Sequence, residues 1–156
     1  MSELEPLIRS RVWRGIFKNI NFEICEHMFY ADGGPWWNTY IILNSHYNPN
    51  YLEYLWVTDF KEFERYNGKI HKYQEPKEEW DVLSWNGGQT FYEQKEYGDF
   101  KSIKIGDDYQ HSWDYEKGRA HLGLDYLTNR CKIMIDELIL LMTKNNIIEK
   151  MNEHVL

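Results

Sequence analysis

Residues 124–142, Leu-Asp-Tyr-Leu-Thr-Asn-Arg-Cys-Lys-Ile-Met-Ile-Asp-Glu-Leu-Ile-Leu-Leu-Met, decide the fold predicted for this chain. Apolar side chains recur here three or four positions apart, the spacing of one face of an α-helix. The stripe consists of Leu124, Leu127, Cys131, Met134, Ile135, Leu138, Leu141 and Met142. It predicts a helix from about residue 120 to residue 144, with a face wide enough to cover a β-sheet.

The segments before this helix supply strands for such a sheet. Apolar and polar residues alternate over several of them, which is typical of strands with one buried face. The predicted strands span 22–30, 36–43, 81–93 and 100–108. Two of the connections have turn residues, Asp32-Gly33-Gly34-Pro35 and Gly98-Asp99. We therefore expect an α+β fold, in which an antiparallel sheet packs against the long C-terminal helix, as a single domain over residues 1–156.

The remaining segments give less regular patterns. Residues 4–17 place apolar side chains near helical spacing and predict a short helix. Thr58 is a suitable N-cap for a second helix carrying Phe60, Phe63 and Tyr66, and residues 69–73 resemble a short edge strand. Residues 51–57 fit either a strand or a helix.

Composition limits the classes of function. With 18 Lys and Arg against 25 Asp and Glu, the formal charge of −7 disfavours direct binding to nucleic acid, which needs a basic surface. No apolar segment is long enough to span a membrane, and the acidic start Met1-Ser2-Glu3 is unlike a signal peptide. We expect a cytoplasmic protein whose two cysteines, Cys25 and Cys131, are buried thiols. Aromatic residues make up 17% of the chain, an excess that suits both cores and binding surfaces.

The first candidate for a functional site is the stretch Trp85-Asn86-Gly87-Gly88-Gln89-Thr90-Phe91-Tyr92. Adjacent glycines tolerate positive φ and lack a Cβ, so they suit a bulge, a tight corner or the close approach of a ligand to the backbone. The sequence does not separate these alternatives.

The second candidate is Ile105-Gly106-Asp107-Asp108-Tyr109-Gln110-His111-Ser112-Trp113-Asp114, which is dense in ionisable and aromatic groups. Asp108, His111 and Asp114 are three residues apart, a pattern that suits metal ligands or an oriented general base only if the chain turns within residues 109–113. In the structural alternative, Asp108 ends a strand, Asp114 caps a helix and His111 bonds to backbone groups. Because the strands carrying the two stretches are consecutive, we expect the stretches to meet. The predicted binding residues are Gly87, Gly88, Thr90, Asp108, His111, Trp113 and Asp114.

These motifs resemble those of small bacteriophage-encoded proteins of unknown function. Those proteins share a Trp-x-Gly-Tyr-Val strand end, a Gly-His-Pro loop, the blocks His-Gly-Gly-(Ile/Leu)-Thr-(Tyr/Phe) and Gly-Phe-Asp-x-x-His-x-x-Asp, and a closing helix. The matching residues here are Trp37, Tyr40, His46, Gly87, Gly88, Thr90, Phe91, Gly106, Asp108, His111, Asp114, Tyr126, Cys131 and Leu138. Asn86 stands where the phage proteins have the histidine before the glycines. The resemblance covers roughly 36–48 and 82–140, and it implies that residues 52–80, between these blocks, are an insertion within the single domain. It also adds Trp37 and His46 to the predicted binding residues.

Two classes of function follow from these patterns. The leading hypothesis is a phage or prophage accessory protein that acts without catalysis in the host cytoplasm, inhibiting an anti-phage system by binding a host protein or, as a second choice, a small nucleotide-like ligand. The alternative is a small hydrolase, metal-dependent or not, that uses Asp108, His111 and Asp114. The chain has no phosphate-binding loop, dinucleotide fingerprint or nucleophile elbow, so we assign no catalytic residue, metal ligand or cofactor.

Overall fold

A five-stranded antiparallel sheet is the centre of the molecule. The computed structural model describes residues 8–29, 36–109 and 123–149. The sheet is built from β1 (Ile8–Phe17), β2 (Ile20–Phe29), β3 (Trp36–Asn44), β6 (Phe91–Tyr97) and β7 (Phe100–Asp108). A separate two-stranded sheet pairs β4 (Lys61–Glu64) with β5 (Ile70–Tyr73). The helices are α1 (Pro49–Leu55), a 3-10 helix (Glu78–Val82) and α2 (Leu124–Lys144).

The strand order in the large sheet is β1-β2-β3-β7-β6, and all neighbours are antiparallel. Tight turns connect β1 to β2 and β6 to β7. The neighbouring strands β3 and β7 are far apart in sequence, because residues 45–90 and then β6 lie between them. Gly98 begins the β6–β7 turn with φ +57°, a conformation that glycine adopts without steric cost. The α+β prediction is confirmed.

The helix α2 covers the middle of one sheet face. Every member of the predicted stripe is buried except Leu124 and Leu141, which are partly buried against the same core. Facing it are alternate residues of β2, β3 and β7, among them Ile24, Ile41 and Ile105, each exposed by no more than 1%. The predicted helix and its core face are confirmed for residues 124–144. In the described parts of the chain, no helix combines the length and apolar character needed to cross a membrane.

The helix predicted at residues 4–17 is wrong over its described part, which is the edge strand β1. Lys18 and Asn19 both have positive φ, +48° and +66°, as a two-residue type I′ hairpin turn requires. Gly15 allows β1 and β2 to pack closely, because a Cβ at this position would overlap the Phe22 ring opposite it. The glycine therefore marks close packing between two strands.

Two further predictions needed correction. The strand expected at 81–93 is instead a 3-10 helix and a series of bends, and regular pairing begins only at Phe91. The helix expected after Thr58 is strand β4, because Phe63 pairs across a hairpin with His71. The predicted strand at 69–73 is confirmed as β5, although its partner is β4 and the large sheet does not include it. The ambiguous segment 51–57 belongs mainly to helix α1.

Leu127 tests the assignment of the α2 face. Its side chain is fully buried, whereas Leu140 on the same helix is 56% exposed. Leu127→Asp places an unpaired carboxylate in the core, and we expect it to lower the free energy of unfolding by several kcal/mol, comparable to the stability of a whole domain. Leu140→Asp should change it by less than about 0.5 kcal/mol. Urea unfolding followed by circular dichroism measures both, and equal effects of the two substitutions would refute the assigned face.

Candidate functional site

The two stretches singled out in the sequence lie against each other. The Asn86 side chain donates to the Asp108 carbonyl at 2.9 Å, and the Thr90 backbone N–H donates to the Gly106 carbonyl at 2.9 Å. The loop of residues 83–90, which we call the glycine loop, is therefore held along the end of β7. The expectation that these stretches meet agrees with the described residues.

The glycine pair forms a corner in this loop. Gly87 and Gly88 have φ of +78° and +95°, which side-chain-bearing residues rarely adopt. A Cβ built on Gly88 would meet nothing within 4 Å. Glycine at position 88 is therefore explained by its backbone conformation, since none of the described residues lies close enough to exclude a side chain there. Both glycines and Thr90 are exposed.

The carboxylate that holds the glycine loop belongs to Asp107, which the sequence reasoning did not select. Asp107 is fully buried; the Thr39 hydroxyl donates to one of its oxygens, and the Asn86 backbone N–H donates to the other at 2.7 Å. Burial raises the pKa of this carboxyl to about 6, while the two hydrogen bonds and the charge of Arg130 act in the opposite direction. The sequence does contain a signal for its burial: Asp107 alternates with Ile105 and Ile103 along the strand, so all three side chains point to the core.

Helix α2 holds the same loop from the other side. Arg130 donates to the Ser84 carbonyl, and Glu137 accepts a hydrogen bond from the Ser84 N–H at 3.1 Å and another from its hydroxyl. The Arg130 guanidinium also lies near Tyr109, whose pKa is raised by burial. Charged groups of the helix thus bind the backbone of an irregular loop, which has few hydrogen bonds of its own.

Of the other predicted site residues that the structure describes, His46 lies away from Asp108, and Trp37 is next to it in the sheet but has its side chain on the opposite face. Asp108 is partly buried on the opposite strand face from Asp107. Trp37 is in the core, 5% exposed, with its ring stacked on Trp13 at 6.0 Å. His46 is exposed in the turn after β3, whereas Asp108 pairs with Asn38 near the start of that strand, roughly 20 Å away along it. His111, Trp113 and Asp114 lie outside the described residues.

Both cysteines are buried, as predicted. Burial raises the pKa of the Cys131 thiol to about 12, so this thiol is protonated at neutral pH and a poor nucleophile. Over residues 8–29, 36–109 and 123–149, no group of three or more His, Cys, Asp or Glu side chains is arranged to hold a metal ion.

A second surface, which the sequence reasoning missed, is the hairpin of residues 60–73, here called the aromatic arm. Its strands β4 and β5 pair only with each other in the described structure. It exposes five large apolar side chains: Phe60, Phe63, Tyr66, Ile70 and Tyr73. Tyr66, at the tip, is fully exposed. The arm also has four basic and two acidic residues, although the chain as a whole is acidic.

The aromatic arm is ordered by contacts among its own side chains and at its base. Phe63 stacks on His71 at 5.3 Å and meets the Tyr73 ring edge-on at 5.7 Å. At the base, the side-chain amides of Gln74 and Gln94 both donate to the Val57 carbonyl, at 2.8 and 3.0 Å. The aromatic face is therefore preformed, and these contacts reduce the ordering entropy lost on binding.

No family model, curated protein or solved structure matches this chain.

The raised pKa of Asp107 predicts how stability depends on pH. The folded protein holds this proton more tightly than the unfolded chain, so the stabilisation is complete below about pH 4 and is lost as the pH rises through about 6. A rise in the pKa of Asp107 from 3.8 to about 6 corresponds to roughly 3 kcal/mol in the free energy of unfolding. Asp107→Asn retains an oxygen for the Asn86 N–H and cannot ionise. We expect its unfolding free energy, relative to that of the unmodified protein, to increase by about 3 kcal/mol between pH 4 and pH 7.

Urea unfolding at several pH values measures this difference. Asp59→Asn, at an exposed position before β4, is the matched control for the removal of a carboxylate. If the pH dependence of Asp107→Asn follows that of Asp59→Asn, Asp107 does not take up the proton on folding.

Proposed function

We propose that this chain is a binding protein without catalytic activity, which uses the aromatic arm to bind a host protein. The observation that carries the proposal is the concentration of five large apolar side chains on one exposed hairpin. Phe63 and Tyr73 share one face of this hairpin, and Tyr66 lies at its tip. A concentration of exposed apolar side chains is unusual on monomeric proteins and commonly marks an interaction site. Phe63, Tyr66 and Arg65 are of the types that supply much of the energy in protein interfaces.

The shape of the arm favours a protein as the partner. A two-stranded hairpin is a projecting element, so it fits a groove on a macromolecule and does not itself enclose a small ligand. Lys61 and Lys72 of the arm pair with Glu75 and Glu62, whereas Arg65 and Lys69, near its tip, would complement an acidic rim on the partner. The Arg65 guanidinium lies 5.9 Å from the centre of the Phe63 ring, which keeps its charge close to the apolar contact.

The ionisable groups of the described residues support binding over catalysis. Both Asp107 oxygens accept hydrogen bonds from the protein, and the carboxylate holds a loop in the core. The Cys131 thiol is buried and protonated at neutral pH. These two groups therefore have structural roles.

The resemblance to phage proteins suggests where such binding would be useful. We propose a phage or prophage accessory protein, acting in the host cytoplasm, that inhibits a defence protein by occupying one of its surfaces. The aromatic arm lies in the segment between the two blocks of that resemblance. It would therefore provide target specificity particular to this chain, on a sheet and helix shared with the others.

Photocrosslinking from the arm tests the proposal. A benzophenone amino acid replaces Tyr66 in one variant and Val82 in a control variant; Val82 is 67% exposed but lies outside the arm. In host cells, we expect the Tyr66 variant to form a covalent adduct with one host protein and the Val82 variant to form none. Titration calorimetry with that purified protein should then show that Tyr66→Ala weakens binding by roughly tenfold or more, while Val82→Ala leaves it unchanged.

Three results would count against the proposal. Adducts of equal yield from both positions would show that the arm is not the binding surface. Unchanged affinity of Tyr66→Ala and Phe63→Ala would show that its aromatic side chains do not contribute. Multiple turnover of a substrate, abolished by His111→Ala with folding intact, would support the hydrolase.

A further inference from the structure

The outer edge of β1 offers a row of backbone groups for pairing. β1 is the edge strand of the large sheet, and its ten residues pair only with β2 among the described residues. Because the two-residue turn makes Phe17 and Ile20 a hydrogen-bonded pair, every second residue of β1 bonds to β2. The residues between them point their N–H and C=O groups outward: Ser10, Val12, Arg14 and Ile16. No described backbone group bonds to that edge.

The side chains along this edge are open to a partner. Val12 and Ile16 are 46% and 55% exposed, and the Arg14 side chain is 76% exposed. A groove of about 530 Å³ lies beside them, lined by Arg14, Ile16 and Ile42, among others. An added strand would thus find both backbone partners and places for alternate side chains.

The charge of the edge determines which strand can pair with it. Residues 8–18 contain four basic residues, Arg9, Arg11, Arg14 and Lys18, and no acidic one, although the chain has a net charge of −7. Glu23 on β2 accepts both Arg14 at 3.0 Å and Lys104 at 2.9 Å, so this acid already has two cationic partners. Lys18 is likewise paired with Asp136 at 2.6 Å. Arg11 is exposed on the other strand face from Arg14, so it is the cation of this edge that an acidic segment can meet.

The same charges disfavour a second copy of this chain. Antiparallel pairing of two β1 edges would bring together two basic strands, neither of which contains an acidic residue, and like charges on adjacent strands destabilise the pair. Cations on an exposed edge are a common protection against self-association. Here they make pairing with another β1 strand unfavourable and pairing with an acidic strand favourable.

We propose that the β1 edge is a strand-addition site for an extended acidic segment of a partner protein. The partner strand would bond to the outward groups of Ser10, Val12, Arg14 and Ile16. Its apolar side chains would lie beside Val12 and Ile16, and its acidic side chains on the opposite strand face, beside Arg11. The site is separate from the aromatic arm and does not depend on the function proposed for it.

The test uses a blocked synthetic peptide of about nine residues, alternating glutamate with valine, which is long enough to span β1. The control peptide has lysine in place of each glutamate. By fluorescence anisotropy, we expect the acidic peptide to bind at least about tenfold more tightly than the basic one. Amide hydrogen exchange should slow by at least about tenfold at Val12, Arg14 and Ile16, whose N–H groups become bonded. Trp13 and Gly15 already bond to β2 and should change little.

Two substitutions at one position separate backbone pairing from side-chain contact. Val12→Pro removes one outward N–H without touching a bond to β2, which an edge strand tolerates, so it should abolish peptide binding while the melting temperature stays close to that of the unmodified protein. Val12→Ala keeps the N–H and should still bind. Arg11→Gln should reduce the preference for the acidic peptide, whereas Arg14→Gln, on the other strand face, should leave most of it. Exchange measurements on the unmodified protein remain decisive if Val12→Pro unfolds.

The proposal is overturned if the two peptides bind equally or neither binds, if Val12→Pro binds as well as Val12→Ala, or if size-exclusion chromatography shows a dimer that Val12→Pro dissociates. Tyr66→Ala should bind the acidic peptide normally. Failure at β1 therefore leaves the function of the aromatic arm untouched, and failure of the arm leaves the edge site untouched.

Discussion

One helix has to cover a sheet wider than itself, and the rest of the structure depends on this constraint. Five strands span about 20 Å, whereas a helix with its side chains is about 10 Å across, so α2 lies over β2 and β3 and leaves both sides of the sheet to be covered otherwise. Toward β1, the Trp13–Trp37 stack extends the core. Toward β7 and β6, Trp80 and Trp85 fill the gap, with ring centres 6.5 Å apart. Part of the aromatic excess of this chain is therefore structural.

Covering the sheet with an irregular segment creates a second requirement. The glycine loop carries Trp85 into the core, but its backbone groups lack the regular partners of a helix or strand. Buried polar groups without partners are costly, so the surrounding elements provide them: Asp107 from β7, and Arg130 and Glu137 from α2. The positive φ of the glycine pair then turns the chain into β6. Asp107, which lies in the second candidate stretch beside the predicted site residue Asp108, thus helps to hold the loop that completes the core.

Strands β2, β3 and β7 and the helix α2 could be predicted because each has a single clear periodicity. β1 could not, since its apolar residues Ile8, Val12 and Ile16 are four apart in sequence, a spacing that fits one helix face and one strand face equally. The aromatic arm was missed for a related reason: Phe60, Phe63 and Tyr66 have helical spacing, but the pairing of β4 with β5 outweighs that local preference. Periodicity fails where a spacing is common to both structures.

The candidate site could also be predicted only in part from the sequence. That the glycine loop meets β7 could be inferred from the order of the strands, because consecutive antiparallel strands are neighbours. Which of the adjacent carboxylates is buried depends on strand register, and a shift by one residue exchanges Asp107 for Asp108. The separation of His46 from Asp108 also follows from register, which pairs Asp108 with Asn38 and Ser102 with Asn44.

The placement of the two exposed surfaces follows from the same sheet. The aromatic arm is tied to β6 through Gln94, and β1 is the opposite edge, so the full width of the sheet separates them, about 20 Å. Both surfaces are locally basic on an acidic protein. An acidic partner, as proposed for each surface, would be attracted at the two sides of the sheet and repelled by the net negative charge of the rest of the chain. Both effects would restrict how it docks. Since the arm projects and the edge presents a row of backbone groups, the two surfaces require different partner geometries, a groove for the arm and an extended strand for β1.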